Sequence, residues 1–332
     1  CRETDRPVGE GYGRTSHANA GEESDSAIVA MKQPNKDGPT SAEAVERSAL
    51  TKENATQSNT HRTPSRESVS NRLDRVRQRA KQKGDEKFTA LLHHLTIDLL
   101  RAGYYALKRT AAPGVDGVQW EEYEDGLEDR LVDLHGRIHR GAYRAQPSKR
   151  VYIPKADGRQ RPLGITALED KIVQQAVATI LNQIYEEDFR GFSYGFRPGR
   201  QAHHALDAVT VGITRKKVNW VLDADIRGFF DCMDHEWLVK FLEHRVGDRR
   251  VLRLLQKWLK AGVSEQGKWT ETKVGTPQGA VISPLLANIY LHYVFDLWVE
   301  AWRRKCAKGD VIVVRYADDF VLGCERRAEA EQ

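Results

Sequence analysis

Residues 311–322 read VIVVRYADDFVL. Strand-forming residues run up to two adjacent carboxylates, Asp318 and Asp319, and resume after them. Like charges side by side repel, and burying them is costly without a compensating cation. The segment therefore reads as two strands joined by a turn at Ala317-Asp318-Asp319, a position that suits Asp. Either the turn exposes both acids to solvent, or it holds a divalent metal.

A second acidic strand bears on that choice. In VLDADIRGFF, Asp223 and Asp225 are two apart, so on a strand they share a face, and Val221 and Leu222 put them at its far end. Taken singly, either acid suits a helix N-cap or the surface. Brought beside the turn, Asp225, Asp318 and Asp319 form a cluster too negative to stand without cations. Oxygen-only ligands of this kind suit Mg²⁺, held by a few carboxylates with phosphate and water. Two such ions can activate an attacking 3′-hydroxyl and stabilise a leaving pyrophosphate.

The remaining chain limits the classes open to it. Its 332 residues allow two domains, or one with a tail. The longest apolar runs, such as Val311–Val314, are far too short for a bilayer, and the polar opening CRETDRPVGE is not expected to act as a signal peptide. Cys1, Cys232, Cys306 and Cys324 lie far apart with no CxxC pair, which argues against zinc or disulfides and for a reducing cytosol. The first residue is Cys1 and the methionines are Met31 and Met233, so the expected start is Met31 or lies upstream. Residues 1–70 hold 9 Lys and Arg against 11 Asp and Glu; the remainder holds 43 against 36, a net of +7 that suits an anionic partner.

Residues 1–70 are rich in Ser, Thr, Asn, Glu and Gly, contain one aromatic, Tyr12, and are expected to be disordered. From Asn71 helical spacing begins, with Phe88, Leu91, Leu92, Leu95 and Leu99 on one face and a basic run over Arg72–Lys83. A Gly-punctuated loop and an amphipathic helix follow, then a hairpin whose strands, Val151–Ile153 and Leu163–Ile165, flank a turn at Ala156-Asp157-Gly158. Apolar residues at 172, 173, 176, 177, 180, 181 and 184 predict a helix. KVNWVLDADIRGFFDCMDH starts as a strand and changes near Gly228; EWLVKFLEHRV and RRVLRLLQKWLKAG are helical. GTPQGAVISPLLANIYLHYVFDLWVEAWRRK is a Gly/Pro loop opening into a long apolar helix. Regular βαβ alternation and internal repeats are absent, which predicts an α+β fold.

RYADDFVLG resembles the YxDD hairpin of reverse transcriptases, and DIRGFFDCMDH their first aspartate motif. KRVYIPKADGRQRPLGI, FSYGFRPGRQAHHAL and GTPQGAVISPLLANIYLH are similar, in this order, to blocks of group II intron-encoded proteins. Five motifs in register over roughly 110–325 make coincidence very unlikely. The resemblance implies a right-hand polymerase: a helical N-terminal extension over 71–134, then a reverse transcriptase domain over 135–332. Fingers run to about 215; a partial palm, an antiparallel sheet backed by helices, fills 216–332, and the thumb and maturase regions are expected beyond.

The resemblance also implies roles. Asp225 and Asp318 would be the main metal ligands and Asp319 the third acid, with two Mg²⁺, or Mn²⁺ as a substitute. Strand logic alone leaves Asp223 equal to Asp225; the family pattern prefers Asp225 because Phe230 follows five positions on. Phe230 would be the steric gate against a ribose 2′-hydroxyl, with Phe229 its rival. Lys155 and Arg161, with Arg159 an alternate, would grip the incoming triphosphate, since both side chains neutralise phosphate. Gln278 would meet nucleotide and template, with Gly275 and Gly279 permitting close backbone approach. Arg197 and Arg200, beside Tyr194 and Phe196, suit a template strand or a structural role. The implied activity is RNA-directed DNA polymerisation, with intron RNA, a DNA primer or target, and dNTPs as partners, in a bacterial cytoplasmic ribonucleoprotein. A non-catalytic RNA-binding maturase, an RNA-dependent RNA polymerase and a retron-type reverse transcriptase are the alternatives.

Overall fold

A computed structural model of the chain describes residues 64–332 apart from 155–157, 159 and 277, with the backbone alone for 64–70. Residues 1–63 of the expected tail lie outside it, and helix α1 (Pro64–Gln82) begins before the boundary at residue 70. Leu73, Val76 and Ala80 are buried at helical spacing, so α1 turns one face inward and keeps its charges outside.

The helical pattern from 71 to 109 is not one helix. After α1 the chain breaks, and Phe88 enters a backbone bridge: its N–H donates to Arg245 O at 2.8 Å and its carbonyl accepts from Gly247 N at 2.8 Å. Buried Asp248 accepts from Leu91 N and Leu92 N at 2.9 and 3.0 Å. Helix α2 (Ile97–Ala106) then starts behind Thr96, whose Oγ1 accepts from Leu99 N. Phe88, Leu91, Leu92, Leu95 and Leu99 are all buried, so their shared inward face holds although the single helix does not.

Short helix α3 (Trp120–Glu124) and α4 (Leu127–His139) follow, the latter burying Leu127, Leu131, Leu134 and Ile138. Strands β1 (Ser148–Pro154) and β2 (Gln160–Ile165) pair antiparallel with Val151 opposite Leu163. Helix α5 (Leu168–Asp188) runs through the core; Ile172, Val173, Ala176, Val177, Ile180, Leu181 and Ile184 are buried, as their spacing predicts. It packs against α1 and α2.

Helix α6 (Ala202–Arg215) leads to β3 (Trp220–Asp225). Gly228, with φ 64°, turns the chain into α7 (Phe229–Cys232), and α8 (His235–Glu243) and α9 (Arg249–Leu259) follow. Strands β4 (Val263–Glu265) and β5 (Lys268–Thr270) extend the first sheet to the order β2-β1-β4-β5. This hairpin is not read from the sequence, because three-residue strands carry little periodicity.

The long apolar helix is α10 (Ser283–Leu291), a π-helical turn over His292–Asp296, and α11 (Leu297–Lys305). The chain closes with β6 (Val311–Tyr316), β7 (Asp319–Cys324) and short helix α12 (Arg327–Ala330). Strands β3, β7 and β6 form an antiparallel sheet in that order. On one face Val313 and Leu322 pack with Val299 of α11; on the other, Ile312 meets Gly212 of α6. The sheet is thus backed by helices, in an α+β arrangement. Among the described residues no helix is long and apolar enough to cross a membrane.

Candidate active site

Strand pairing brings the acids together. In the β3–β7 ladder Asp225 lies directly opposite Asp319, and directly opposite residues project to the same side. Tyr316 pairs with Asp319 across β6 and β7, leaving Ala317 and Asp318 as a two-residue turn. Ala317 takes φ 58°, the left-handed region that such hairpin turns require and L residues avoid. The amide of Ile226 donates to Asp318 O at 3.3 Å, tying the end of β3 to the turn. Asp223 lies two residues back on the same strand, opposite Val321.

The mutual repulsion has a titration signature. Burial first, then the neighbouring charges of Asp319 and Asp225, push the Asp318 carboxyl above its ordinary value, while Arg161 pulls it back. Burial, Asp225 and Asp223 likewise push Asp319 up. Four acids therefore share one field, and the cation of β2 reaches it. Among the described residues no three His, Cys, Asp or Glu side chains are already gathered as a metal cluster. What the fold supplies is hard oxygen donors at adjoining strand ends, a set chemically suited to a divalent ion such as Mg²⁺.

The other expected site residues separate. Phe229 is buried in the core against Tyr290, whereas Phe230 is half-buried and meets Phe196 edge-on at 6.5 Å. The Phe230 carbonyl accepts from Thr276 N at 2.8 Å, and Gly275 lies so close that a Cβ would fall 2.7 Å from that oxygen. Gly164 N donates to Gln278 O at 2.6 Å, joining the Gly/Pro loop to β2; Gln278 Oε1 is buried with no hydrogen-bond partner. Gly279 takes φ 97° beside Gly164. Arg161 lies opposite Ile153 in the hairpin; Lys155 and Arg159 lie outside the described residues.

Of the two roles left open for Arg197, template contact or structure, its surroundings fit the second. It is 4% exposed, pairs with Glu186 at 3.0 Å and donates to the carbonyls of Arg190 and Ser193, so its fork of donors is committed inside the protein. Arg200 is half-buried, donates to Gly191 O and Ser193 O, and lies over the Tyr194 ring. Together they fold the FSYGFRPGR segment into a brace. Ser193 of that segment bridges Arg315 at the outer edge of β6.

Sequence reasoning missed Arg315. It is fully buried on the face of β6 away from the acids, with both guanidinium edges hydrogen-bonded. The signal was present: one Arg inside an apolar strand demands a carboxylate partner, and Asp296 is the lone acid in the apolar stretch YLHYVFDLW.

The chain belongs to the reverse transcriptase (RNA-dependent DNA polymerase) family, whose model matches residues 153–332. It is 38% identical over 256 residues to Protein YkfC of Escherichia coli (strain K12), covering 67% of each chain. It is 36% identical over 222 residues to the group II intron-encoded protein LtrA of Lactococcus lactis subsp. cremoris, covering 66% of this chain and 37% of the relative. An uncharacterized 91 kDa protein in the cob intron of Schizosaccharomyces pombe is 33% identical over 70% of this chain and 29% of its own length. The chain thus spans well under half the length of these two intron proteins, and its fold class is that of reverse transcriptase fingers and palm.

Proposed function

We propose that this chain carries the polymerase site of a group II intron-type reverse transcriptase, adding dNTPs to a primer 3′-hydroxyl on an RNA template. The observation that carries the reading is the register of β3 on β7, which sets Asp225 opposite Asp319 with Asp318 in the adjoining turn. Asp225, Asp318 and Asp319 would hold the divalent ions. Those ions, two Mg²⁺ or Mn²⁺ in their place, supply charge neutralisation for the attacking oxygen and the leaving pyrophosphate. Arg161, whose charge already reaches Asp318, would bind the triphosphate together with Lys155. Phe230, held by its carbonyl and by Phe196, would exclude a ribose 2′-hydroxyl, while Gln278 and Gly279 would border the nucleotide and Arg200 the template.

Intron RNA is the partner that the intron-encoded relatives suggest. Exposed Arg75, Lys81 and Lys83 at and just beyond the outer face of α1 suit phosphate contact, and the protein would work as a ribonucleoprotein in the bacterial cytoplasm. The test is primer extension on an RNA template by the full-length protein and its Asp318→Ala variant. Loss of about 10³-fold or more in rate is expected; equal extension by the two ends the catalytic assignment.

A further inference from the structure

The turn that carries Asp318 and Asp319 is gripped from behind. Arg315 Nε and Nη2 donate to the two oxygens of Asp296, each at 2.7 Å. Nη1 donates to Asn288 Oδ1 at 3.1 Å and to Ala317 O at 2.9 Å, and Nη2 also reaches Ser193 Oγ at 2.7 Å. Asn288 Nδ2 in turn donates to Gly195 O at 2.8 Å. Gly195 lies flat against the turn; a Cβ there would fall 2.2 Å from Ala317 N. Three separate stretches of chain therefore meet at one guanidinium: the Ser193–Gly195 segment, the continuous run of α10 and the π-helical turn, and the acidic hairpin.

The arrangement is more than a buried ion pair. Arg315 and Asp296 are both fully buried, and a pair taken out of water is kept only where its remaining donors are satisfied. Here the surplus donors go to Asn288, to Ser193 and to the Ala317 carbonyl of the reacting turn. That turn holds Ala317 in a left-handed conformation, which an Ala does not adopt unaided. His292, 3.9 Å from Asp296, does not compete for it: burial and then Arg190 push its pKa down to about 3, so it stays neutral.

We propose that Arg315 is a positioning residue of the polymerase site. Its Asp296-anchored fork fixes the Ala317 carbonyl and so aims Asp318 and Asp319 at Asp225. The inference rests on the polymerase reading. It separates geometry from charge: Lys at 315 keeps the charge beside Asp296 but lacks the planar fork that spans Asp296 and Ala317 together. Gly at 317 adopts the left-handed turn without help.

The experiment is steady-state primer extension by the full-length protein, with Mg²⁺ titration, dNTP KM and melting temperature, for wild type, Arg315→Lys, Arg315→Lys/Ala317→Gly, and Ser193→Ala. Arg315→Lys is expected to lower kcat about 10²-fold with dNTP KM nearly unchanged. Its half-saturating Mg²⁺ rises about tenfold, as when groups that orient metal ligands are lost. Adding Ala317→Gly recovers about tenfold of kcat. Should Arg315→Lys fail to fold, Ser193→Ala carries the test: it strands one buried Nη2 hydrogen and so lowers melting modestly, yet it folds, with half-saturating Mg²⁺, measured below its melting temperature, raised several-fold. Unaltered Mg²⁺ dependence in the folded variants, with no recovery by Ala317→Gly, overturns the role of Arg315. A wild type that does not extend primers removes the polymerase reading itself, and this inference with it.

Discussion

At Asp318 the fold works against itself. The carboxyl is held above its ordinary value by burial and by Asp319 and Asp225, so the folded chain binds its proton more tightly than the unfolded chain does. Such a group stabilises the fold fully below the unfolded pKa of about 3.9 and loses that stability as pH rises through the folded pKa. At neutral pH the whole penalty is present. Asp318→Asn is therefore expected to raise the melting temperature of the metal-free protein at pH 7, with the advantage vanishing below about pH 4. Thermal melts in chelator across that pH range check this; an unchanged or lowered melting temperature at pH 7 contradicts it. Gly195 gives a second prediction at this scale. A methyl there must displace the Ala317 backbone, so Gly195→Ala should reduce primer extension by about 10²-fold through a misplaced turn. Full activity in that variant would show that the turn tolerates the shift.

Elements differ in how far their sequence betrays them. The acidic hairpin and the hairpin β1–β2 were legible because apolar runs flank a turn rich in Asp or Gly, and the core face of α5 because its helical spacing persists over several turns. The acids at the strand ends were legible too: a carboxylate at the end of an apolar strand is conspicuous. The break between α1 and α2 was not. It is made by Asp248, more than 150 residues away, whose carboxylate takes the Leu91 and Leu92 amides. Burial pushes that carboxyl up, but the amide bonds and Arg250 outweigh it and hold it below its usual range. Asp248→Ala would strand two buried amides and remove the N-cap of α9, destabilising the fold by about 3 kcal/mol. Denaturant unfolding measures this, and a change under 1 kcal/mol would deny Asp248 that role. The commitment of Arg197 to Glu186 was equally hidden, since charge and stacking potential look the same in sequence whether a guanidinium faces solvent or core.

Across the whole molecule, the site is assembled from distant stretches at one end of the sheet. Residues 193–195 brace the turn, β3 supplies Asp225, the 275–279 loop abuts both Phe230 and β2, and β6–β7 supplies the paired acids. Helices α5 and α10 share the main core, while Val299 of α11 packs beneath β6 and β7 in a second cluster. The most direct test of this convergence is the number of Mn²⁺ ions bound to the full-length protein in complex with RNA template, DNA primer and dNTP, counted by electron paramagnetic resonance. Two bound ions are expected, with occupancy falling alike in Asp225→Asn and Asp318→Asn. Occupancy that drops in Asp318→Asn but stays at the wild-type level in Asp225→Asn would contradict a site shared between the two strands.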